Sequence, residues 1–311
     1  MKTVVVGAGA MGTFITARLC MVGHEVWLLE VNDKRVTKIK ENGICFEEND
    51  DSNNLKFPTI TSDPNEIGEV DVVIIMVKAF DTEDAVKLVL PAISEKTVVL
   101  TLQNGMGNIE MISRYISKER VIAGTTSHGA LLIDDGYVSH TGVEDTIIGA
   151  LSADSENHTG KLKELFDSSG IKTTISDDVT SLLWGKLLIN VSINPLTAIM
   201  RIKNGRIVEL PNLIEIIKQL LAESLKVASE IGINIPYDNY LEKVIQICRN
   251  TSQNNSSMLQ DILAGRRTEI NQINGAIVTY GKQCGVETPV NKMLTELVMS
   301  IEQIRLDLLC S

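Results

Sequence analysis

Two patterns of apolar residues divide the chain. Through about residue 175, short apolar runs alternate with helix-like repeats, the order typical of alternating strands and helices. The alternation predicts an α/β fold built on a doubly wound parallel sheet. The predicted strands are Thr3–Val6, Glu25–Leu29, Val70–Val77, Thr97–Leu102, Val121–Gly124, Thr146–Gly149 and Thr173–Ile175.

From about Asp177 the strand-like runs stop, and long apolar repeats of helical period replace them. We therefore expect an α/β domain over residues 1–176 and an all-helical domain over residues 177–311. The predicted helices are Asp178–Met200, Leu210–Ile231, Tyr237–Cys248, Ser257–Ala264, Thr268–Gln283 and Pro289–Leu309.

A glycine-rich loop follows the first predicted strand. The strand leads into Gly7-Ala8-Gly9-Ala10-Met11-Gly12, and a helical pattern begins directly afterwards. In a dinucleotide site of the Rossmann type, Gly7 permits the tight turn, Gly9 lets the pyrophosphate approach, and Gly12 lets helix and strand pack closely. The phosphates then lie at the helix N-terminus. The loop predicts a Rossmann-type cofactor site, against the alternative of a bare glycine-rich turn.

Glu30 ends the second predicted strand, 23 residues after Gly7. An acid at this position accepts hydrogen bonds from the adenosine ribose, and its charge disfavours a 2'-phosphate. The alternative is an ordinary surface acid. Lys34 and Arg35 follow within a turn and could hold a phosphate, so the sequence leans towards NADH without excluding NADPH.

Two polar residues follow later predicted strands. Lys78 comes after an apolar run, and Asn104 lies in the phrase Gln103–Gly107 after the next strand. A polar residue that ends a strand is commonly just solvated. Because the carboxyl ends of parallel strands share one edge with the glycine loop, both residues are also candidates for contact with cofactor or substrate.

A narrow polar stripe is predicted on the first helix of the second half. Lys186, Asn190 and Asn194 are four residues apart, so they share one helix face over about 12 Å. Apolar residues border the stripe, whereas a solvated face would be broad and charged. Lysine can hold a carboxylate or donate a proton, and the amides can orient a carbonyl or hydroxyl. The alternative is a self-satisfied polar core ahead of Pro195.

Two further positions near the C-terminal part have ordinary structural explanations. Ser257 with Gln260 fits a helix capping box. Glu269 fits an acid in the first turn of a helix, which the helix dipole favours. On position alone, these structural explanations are favoured over a functional role for either residue.

Composition narrows the classes of partner. The net charge of −11 and the scattered Lys and Arg residues disfavour nucleic acid. No apolar run is as long as a membrane-spanning helix requires. The glycine spacing at the start of the chain and its direct continuation into the predicted fold argue against a signal peptide. Five separated cysteines indicate reduced thiols in the cytoplasm, and neither they nor the four histidines have metal-ligand spacing. We expect no metal site.

The longer motifs resemble the ketopantoate reductase family over nearly the whole chain. The resemblance rests on the glycine loop, on VKA at Val77–Ala79, on QNG at Gln103–Gly105, on WxKLxxNxxxNPLTA at Trp184–Ala198, and on SSMLQD and RxTEIxxING within Ser256–Gly275. It implies that the helical domain is of the 6-phosphogluconate dehydrogenase-like type.

The resemblance also implies roles for the candidate residues. Lys186 matches the general acid, and Asn190 and Asn194 match substrate-binding asparagines. Ser257 and Glu269 match residues that contact substrate or cofactor, whereas Lys78 and Asn104 match positions near the nicotinamide. Many family members use NADPH and carry a basic residue where this chain has Glu30.

The resulting hypothesis is reduction of the ketone of 2-dehydropantoate to (R)-pantoate by hydride from NADH or NADPH, a step towards pantothenate and coenzyme A. One alternative is a reductase of another 2-oxo acid on the same scaffold. The other is a dinucleotide-binding sensor without catalysis. The expected partners are a small-molecule substrate and, as one option for assembly, a second copy in a homodimer, with no nucleic acid or membrane.

Overall fold

The chain forms two compact units. The computed structural model describes residues 1–48, 51–55, 58–142 and 145–310, with the backbone alone described at 51–55 and 305–310. The first unit comprises Met1–Gln103 and Asn108–Val179, and the second comprises Asn104–Gly107 and Thr180–Ser311. The division into a dinucleotide-binding domain over residues 1–176 and a helical substrate domain over residues 177–311 stays a prediction.

The first unit alternates strands and helices. Its described strands are β1 (Thr3–Val6), β2 (Val26–Leu29), β3 (Ile44–Glu48), β4 (Asp51–Leu55), β5 (Thr59–Thr61), β6 (Val70–Ile75), β7 (Ile93–Thr101), β8 (Val121–Thr126), β9 (Gly129–Asp134), β10 (Tyr137–Gly142), β11 (Thr146–Ala150) and β12 (Thr173–Ile175). Its α-helices are α1 (Ala10–Met21), α2 (Asp33–Asn42), α3 (Thr82–Val89), α4 (Asn108–Ile112) and α5 (Glu156–Ser168).

Eight of these strands form the main sheet, in the order β12-β11-β8-β7-β6-β1-β2-β5. Neighbouring strands are parallel except β11, which runs antiparallel to β8. In register, Val6 of β1 pairs with Leu29 of β2 and with Ile75 of β6, and Ile75 pairs with Thr101 of β7. The segments that follow these four strands therefore leave the same edge of the sheet.

Alternate residues of each central strand enter different cores. Val5 of β1 lies in a core with Phe14 of α1 and Phe166 of α5, whereas Val4 lies in a core with Val86 of α3. Helices thus cover both faces of the sheet, which is why the central strands are apolar throughout. The predicted doubly wound α/β fold is confirmed.

A second, four-stranded sheet was not predicted from the sequence. Its order is β4-β3-β10-β9, with β10 parallel to β3 and antiparallel to β9. Phe46 of β3 and Val138 of β10 are fully buried in the same core as Phe14 of α1. This second sheet therefore packs on the helix that follows the glycine loop.

Two buried histidines lie at the second sheet: His140 is on β10, and His128 directly precedes β9. His128 Nδ1 is 3.0 Å from His140 Nε2, and His140 Nδ1 is 2.5 Å from a carboxylate oxygen of Glu48, which also pairs with Arg18. If His140 donates to Glu48 and accepts from His128, then His128 Nε2 is unprotonated. That atom is buried with no partner among the described residues. Burial first, and the nearby His140 and Arg18 next, lower the pKa of His128 to about 4.

The second unit is helical. Its described α-helices are α6 (Val179–Met200), α7 (Asn204–Ile207), α8 (Pro211–Glu230), α9 (Tyr240–Asn250), α10 (Ser257–Leu263), α11 (Asn274–Cys284) and α12 (Pro289–Cys310). The predicted helix over Thr268–Gln283 starts later than expected, because a 3₁₀ turn at Ile270–Gln272 and an irregular Ile273 precede α11.

Helix α6 is the central element of this unit. Trp184 and Leu187 enter one apolar core, whereas Leu188 and Leu196 enter another. Contrary to the sequence-based expectation, α6 is long and apolar enough to cross a membrane by length and composition. However, 67% of its most apolar window is buried inside the protein, as in a core helix.

Candidate active site

Two of the loop glycines are required by the fold itself. Gly7 has a φ of +100°, a conformation that side chains rarely adopt, and its N–H donates to the carbonyl of Leu29. A Cβ atom on Gly12 would lie 1.9 Å from the carbonyl oxygen of Gly7, far inside van der Waals contact. Strand β1 and helix α1 can therefore pack at this distance only with glycine at position 12.

Gly9 differs from both of these glycines. It caps α1 with an ordinary φ of −72°, and a Cβ atom there would meet no other protein atom within 4 Å. Neither the backbone nor the packing requires glycine at this position. An open space beside the first N–H groups of a helix is what a bound pyrophosphate needs. The loop therefore fits a dinucleotide.

Glu30 lies beside this loop at the end of β2. Its side chain is 7% exposed, and its Oε2 atom accepts hydrogen bonds from the Ala8 N–H and from Arg35 Nη1, both at 2.9 Å. The Asn32 N–H donates to Oε1 at 3.0 Å. The carboxylate is thus fixed next to the glycine loop rather than solvated as an ordinary surface acid.

Lys78 follows β6 on the same edge. It is half-buried and precedes a 3₁₀ turn at Ala79–Asp81. The Gln103 amide donates at 2.8 Å both to the carbonyl of Val77 and to the hydroxyl of Thr82. Because Val77 directly precedes Lys78, Gln103 fixes the backbone that carries the lysine.

Asn104 begins a short loop that belongs to the second unit. Gly105 has a φ of +79°, and a Cβ there would lie 2.7 Å from the carbonyl oxygen of Gln272. The next N–H, from Met106, donates to that carbonyl at 2.8 Å. The Gln272 N–H in turn donates to the carbonyl of Glu269. The structure therefore joins the Asn104 loop to the turn that starts at Glu269, whose side chain is 5% exposed.

The predicted polar stripe lies on α6. Lys186 and Asn190 are half-buried, and Asn194 is 5% exposed. The Asn194 Nδ2 atom is buried without a hydrogen-bond partner among the described residues. A buried amide left unsatisfied destabilises the fold by about 1 to 3 kcal/mol. An acceptor supplied by a bound ligand would satisfy this donor.

A proline lies inside α6 within this stripe. Pro195 has no N–H, so the carbonyl of Val191 loses its usual donor four residues later. The Nδ2 atom of Asn274, which is fully buried, donates to this carbonyl at 3.1 Å. The same Nδ2 atom also donates a hydrogen bond to Asn291 Oδ1 at 3.0 Å. Asn274 therefore replaces the helix hydrogen bond that the Val191 carbonyl would otherwise accept from residue 195.

The capping box predicted at Ser257 and Gln260 is wrong. The N-cap of α10 is Ser256, whose hydroxyl accepts from the Leu259 N–H at 3.1 Å and lies 2.7 Å from the Thr197 hydroxyl. Ser257 is exposed at the first position of the helix. The bond between Ser256 and Thr197 brings Ser257 close to the Asn194 turn of α6, and no capping role occupies its side chain.

Sequence reasoning missed several residues that fix these groups. Gln103 and Asn274 both lie inside motifs that were singled out, but their long-range partners left no local pattern. A proline inside a predicted helix was the available signal for Asn274, since it requires an outside donor. Among the described residues, no group of three His, Cys, Asp or Glu side chains could hold a metal ion.

A Rossmann-type sheet with a cofactor loop, followed by a helical unit with a lysine–asparagine stripe, defines a dinucleotide-dependent oxidoreductase. Models of two families match the chain: ketopantoate reductase PanE/ApbA over residues 3–153 and ketopantoate reductase PanE/ApbA C terminal over residues 178–302. The chain belongs to the ketopantoate reductase family.

Curated relatives and solved structures agree with this assignment. The 2-dehydropantoate 2-reductase of Pyrococcus horikoshii is 34% identical over 98% of both chains, and that of Halobacterium salinarum is 30% identical over 96% of this chain and 98% of its own. A ketopantoate reductase structure from Ralstonia eutropha superposes with a TM-score of 0.90 at 30% identity, covering 98% of this chain and 99% of its own.

One structural neighbour has a different activity in its name. D-mandelate dehydrogenase, in a ternary structure with NADH and anilino(oxo)acetate, superposes with a TM-score of 0.91 at 29% identity. The match covers 98% of this chain and 99% of the dehydrogenase. Proteins named ketopantoate reductase and D-mandelate dehydrogenase thus share this fold.

Proposed function

We propose that this enzyme reduces the ketone of 2-dehydropantoate to (R)-pantoate. The observation that carries the proposal is the α6 stripe, where a lysine and two asparagines share one helix face and the Asn194 amide has an unused buried donor. The full-length relatives named 2-dehydropantoate 2-reductase support this substrate.

Lys186 would supply the proton. When bound, the reduced nicotinamide supplies a hydride to the carbonyl carbon, and negative charge then grows on the ketone oxygen. A lysine N–H donor within hydrogen-bond reach of that oxygen stabilises the charge and protonates the alkoxide. A group in this role typically accelerates turnover about a hundredfold to ten-thousandfold.

The amides and the hydroxyl would orient the substrate. Asn190, Asn194 and Ser257 offer donors that suit the carboxylate and the terminal hydroxyl of 2-dehydropantoate. Asn104 and Glu269 lie on a loop and a turn that a hydrogen bond from Met106 to Gln272 joins. Asn104 would orient the reacting end of the substrate, and Glu269 would contribute to the polar network around it. Lys78, on the loop after β6, would help to orient the nicotinamide end of the cofactor.

The cofactor would be held by the glycine loop and Glu30. The residues present fit a dinucleotide, because position 9 keeps open space that the fold does not need. We propose a preference for NADH, since the Glu30 carboxylate can accept from ribose hydroxyls and repels a 2'-phosphate. Support also comes from the neighbour that binds NADH.

The second candidate function is reduction of another 2-oxo acid. The similarity to D-mandelate dehydrogenase favours it, because that enzyme has the same fold at nearly the same identity as the ketopantoate reductase structure. The polar stripe suits any 2-oxo acid, and the side chain of the acid would then decide specificity.

A steady-state assay separates the two candidates. The initial rate of oxidation of NADH and of NADPH is measured in parallel with 2-dehydropantoate, 2-oxoisovalerate and phenylglyoxylate. We expect the highest kcat/KM with 2-dehydropantoate. A higher value with either other acid would reassign the substrate, and no oxidation with any acid would favour a dinucleotide sensor.

For location, we propose a cytoplasmic enzyme, and a homodimer is one option for its assembly. The four cysteines whose side chains are described have free thiols, which suit a reducing compartment. They are Cys20, Cys45, Cys248 and Cys284. Light scattering of the purified protein at micromolar concentration tests the dimer.

A further inference from the structure

The guanidinium of Arg35 is held between two carboxylates of the first unit. Its Nη1 lies 2.9 Å from Glu30 Oε2, and its Nε lies 2.7 Å from Asp135 Oδ1. Asp135 lies in the turn that joins β9 to β10, a hundred residues away in the chain. Because the two carboxylates bind different nitrogen atoms, they fix both the position and the plane of the guanidinium.

Arg35 contacts the acid beside which the 2'-phosphate of NADPH would bind. Glu30 ends β2 beside the glycine loop, and the adenosine ribose of a dinucleotide binds at such an acid. An arginine near this position is the usual partner of a 2'-phosphate. In this chain, the two carboxylates outnumber the single guanidinium, so the group carries a net negative charge.

We infer that Asp135 is a specificity-determining residue for the cofactor. By holding Arg35 against Glu30, it keeps the guanidinium from a 2'-phosphate and leaves a negative site that accepts a free 2'-hydroxyl. Without the Asp135 carboxylate, Arg35 keeps one partner and can turn towards a phosphate. This inference rests on two parts of the proposed function, the binding of a nicotinamide dinucleotide and the preference for NADH, and it does not depend on the oxo-acid substrate.

The turn supplies its own matched control. Asp134 is adjacent to Asp135, but it pairs with the exposed Lys38 rather than with Arg35. Asp134→Asn and Asp135→Asn therefore remove the same charge from the same turn. Only the second substitution releases the arginine.

Dissociation constants of NADH and NADPH, measured by fluorescence titration of the full-length protein without substrate, test the inference. We expect the unmodified protein to bind NADH more tightly than NADPH. Asp135→Asn should tighten NADPH binding about tenfold, as a new charge-assisted hydrogen bond would. Asp134→Asn should change it less than about twofold, as for an exposed pair. Adding Arg35→Gln to Asp135→Asn should abolish the gain.

Three outcomes would overturn the inference: an equal effect of the two turn substitutions, a gain that survives Arg35→Gln, or tighter binding of NADPH by the unmodified protein. Asp135→Ser, which keeps a turn-forming side chain, should repeat the gain and guards against a local folding defect. The titration needs no turnover. A protein that shows the expected binding pattern but does not reduce 2-dehydropantoate would refute the proposed substrate and leave this inference intact.

Discussion

The glycine loop and the α6 stripe, the two parts of the proposed site, differ in how their residues contribute to stability. In the loop, the fold requires Gly7 and Gly12, and the neighbouring Glu30 carboxylate accepts three hydrogen bonds from protein donors. In the stripe, Asn194 is buried with an unused donor and Pro195 interrupts the helix hydrogen bonds. Under the proposed function, the comparison teaches that binding and stability largely coincide at the loop, whereas at the stripe they oppose each other.

The largest effect is expected at the stripe. Lys186→Ala should reduce kcat about a hundredfold to ten-thousandfold, because the proton donor is lost. The dissociation constant of the cofactor should stay nearly unchanged, since the loop that holds it belongs to the first unit. Steady-state kinetics and cofactor titration check both, with Lys218→Ala on the exposed face of α8 as the control. Near-normal turnover would remove Lys186 from the mechanism.

The loop glycines should separate folding from binding. Gly12→Ala should lower the free energy of unfolding by about 3 kcal/mol or more, because its Cβ overlaps the carbonyl of Gly7. Gly9→Ala should leave that free energy within about 1 kcal/mol of the unmodified value. It should weaken cofactor binding about tenfold, since the methyl group fills the space beside the helix N-terminus.

Urea unfolding and cofactor titration measure the two quantities on the same samples. Cofactor affinity unchanged by Gly9→Ala would show that the ligand does not approach this glycine. Equal destabilisation by both substitutions would contradict the distinction drawn between the two positions.

His128 is a buried polar residue of the first unit that belongs to neither the glycine loop nor the stripe. The pKa of His128 is lowered from 6.5 to about 4, so the unfolded chain binds more protons than the folded protein between these values. The stability is therefore complete above pH 6.5 and decreases as the pH falls through this window. Between pH 7 and pH 5 the loss should be about 2 kcal/mol.

His128→Gln keeps a donor for His140 and should remove most of this pH dependence. Urea unfolding at pH 7 and pH 5 provides the measurement, and His158→Gln, at a less buried site, should change the difference much less. A pH dependence that persists in His128→Gln would point to another member of the cluster.

The smallest expected effect has the most informative sign. Asn194→Leu should raise the free energy of unfolding by about 1 kcal/mol, because a nearly isosteric apolar side chain replaces an unsatisfied amide. The same change should raise the KM for the oxo acid about tenfold. Asn274→Leu is the contrasting control: it should destabilise the protein, since that amide is bonded to Val191. A lower free energy of unfolding in Asn194→Leu would contradict the view that ligand binding and stability oppose each other at the stripe.

The sequence predicted the main sheet and the helices well because their signals are local. Strand β1 matches its predicted bounds, since the apolar run and Gly7 mark both ends. The second sheet was missed because β3 pairs with β10, about ninety residues away, and the polar run Asp51–Leu55 has no strand pattern.

The candidate site was predicted only as far as single residues and helix faces allow. Helical spacing was enough to place Lys186, Asn190 and Asn194 together. The Ser256 hydroxyl also contacts Thr197 on another helix, and Arg35 pairs with Asp135 in a turn a hundred residues later. Such contacts exist only in the folded chain.

The bond between Asn274 and the carbonyl opposite Pro195 has an evolutionary consequence. A substitution of Pro195 that restores the N–H would give Val191 its own donor and remove the need for Asn274, whereas loss of Asn274 alone would leave a buried carbonyl unsatisfied. The two positions should therefore change in a fixed order, proline first. Among descendants of this gene, an asparagine without the proline is the intermediate expected, and a proline without the asparagine should be rare.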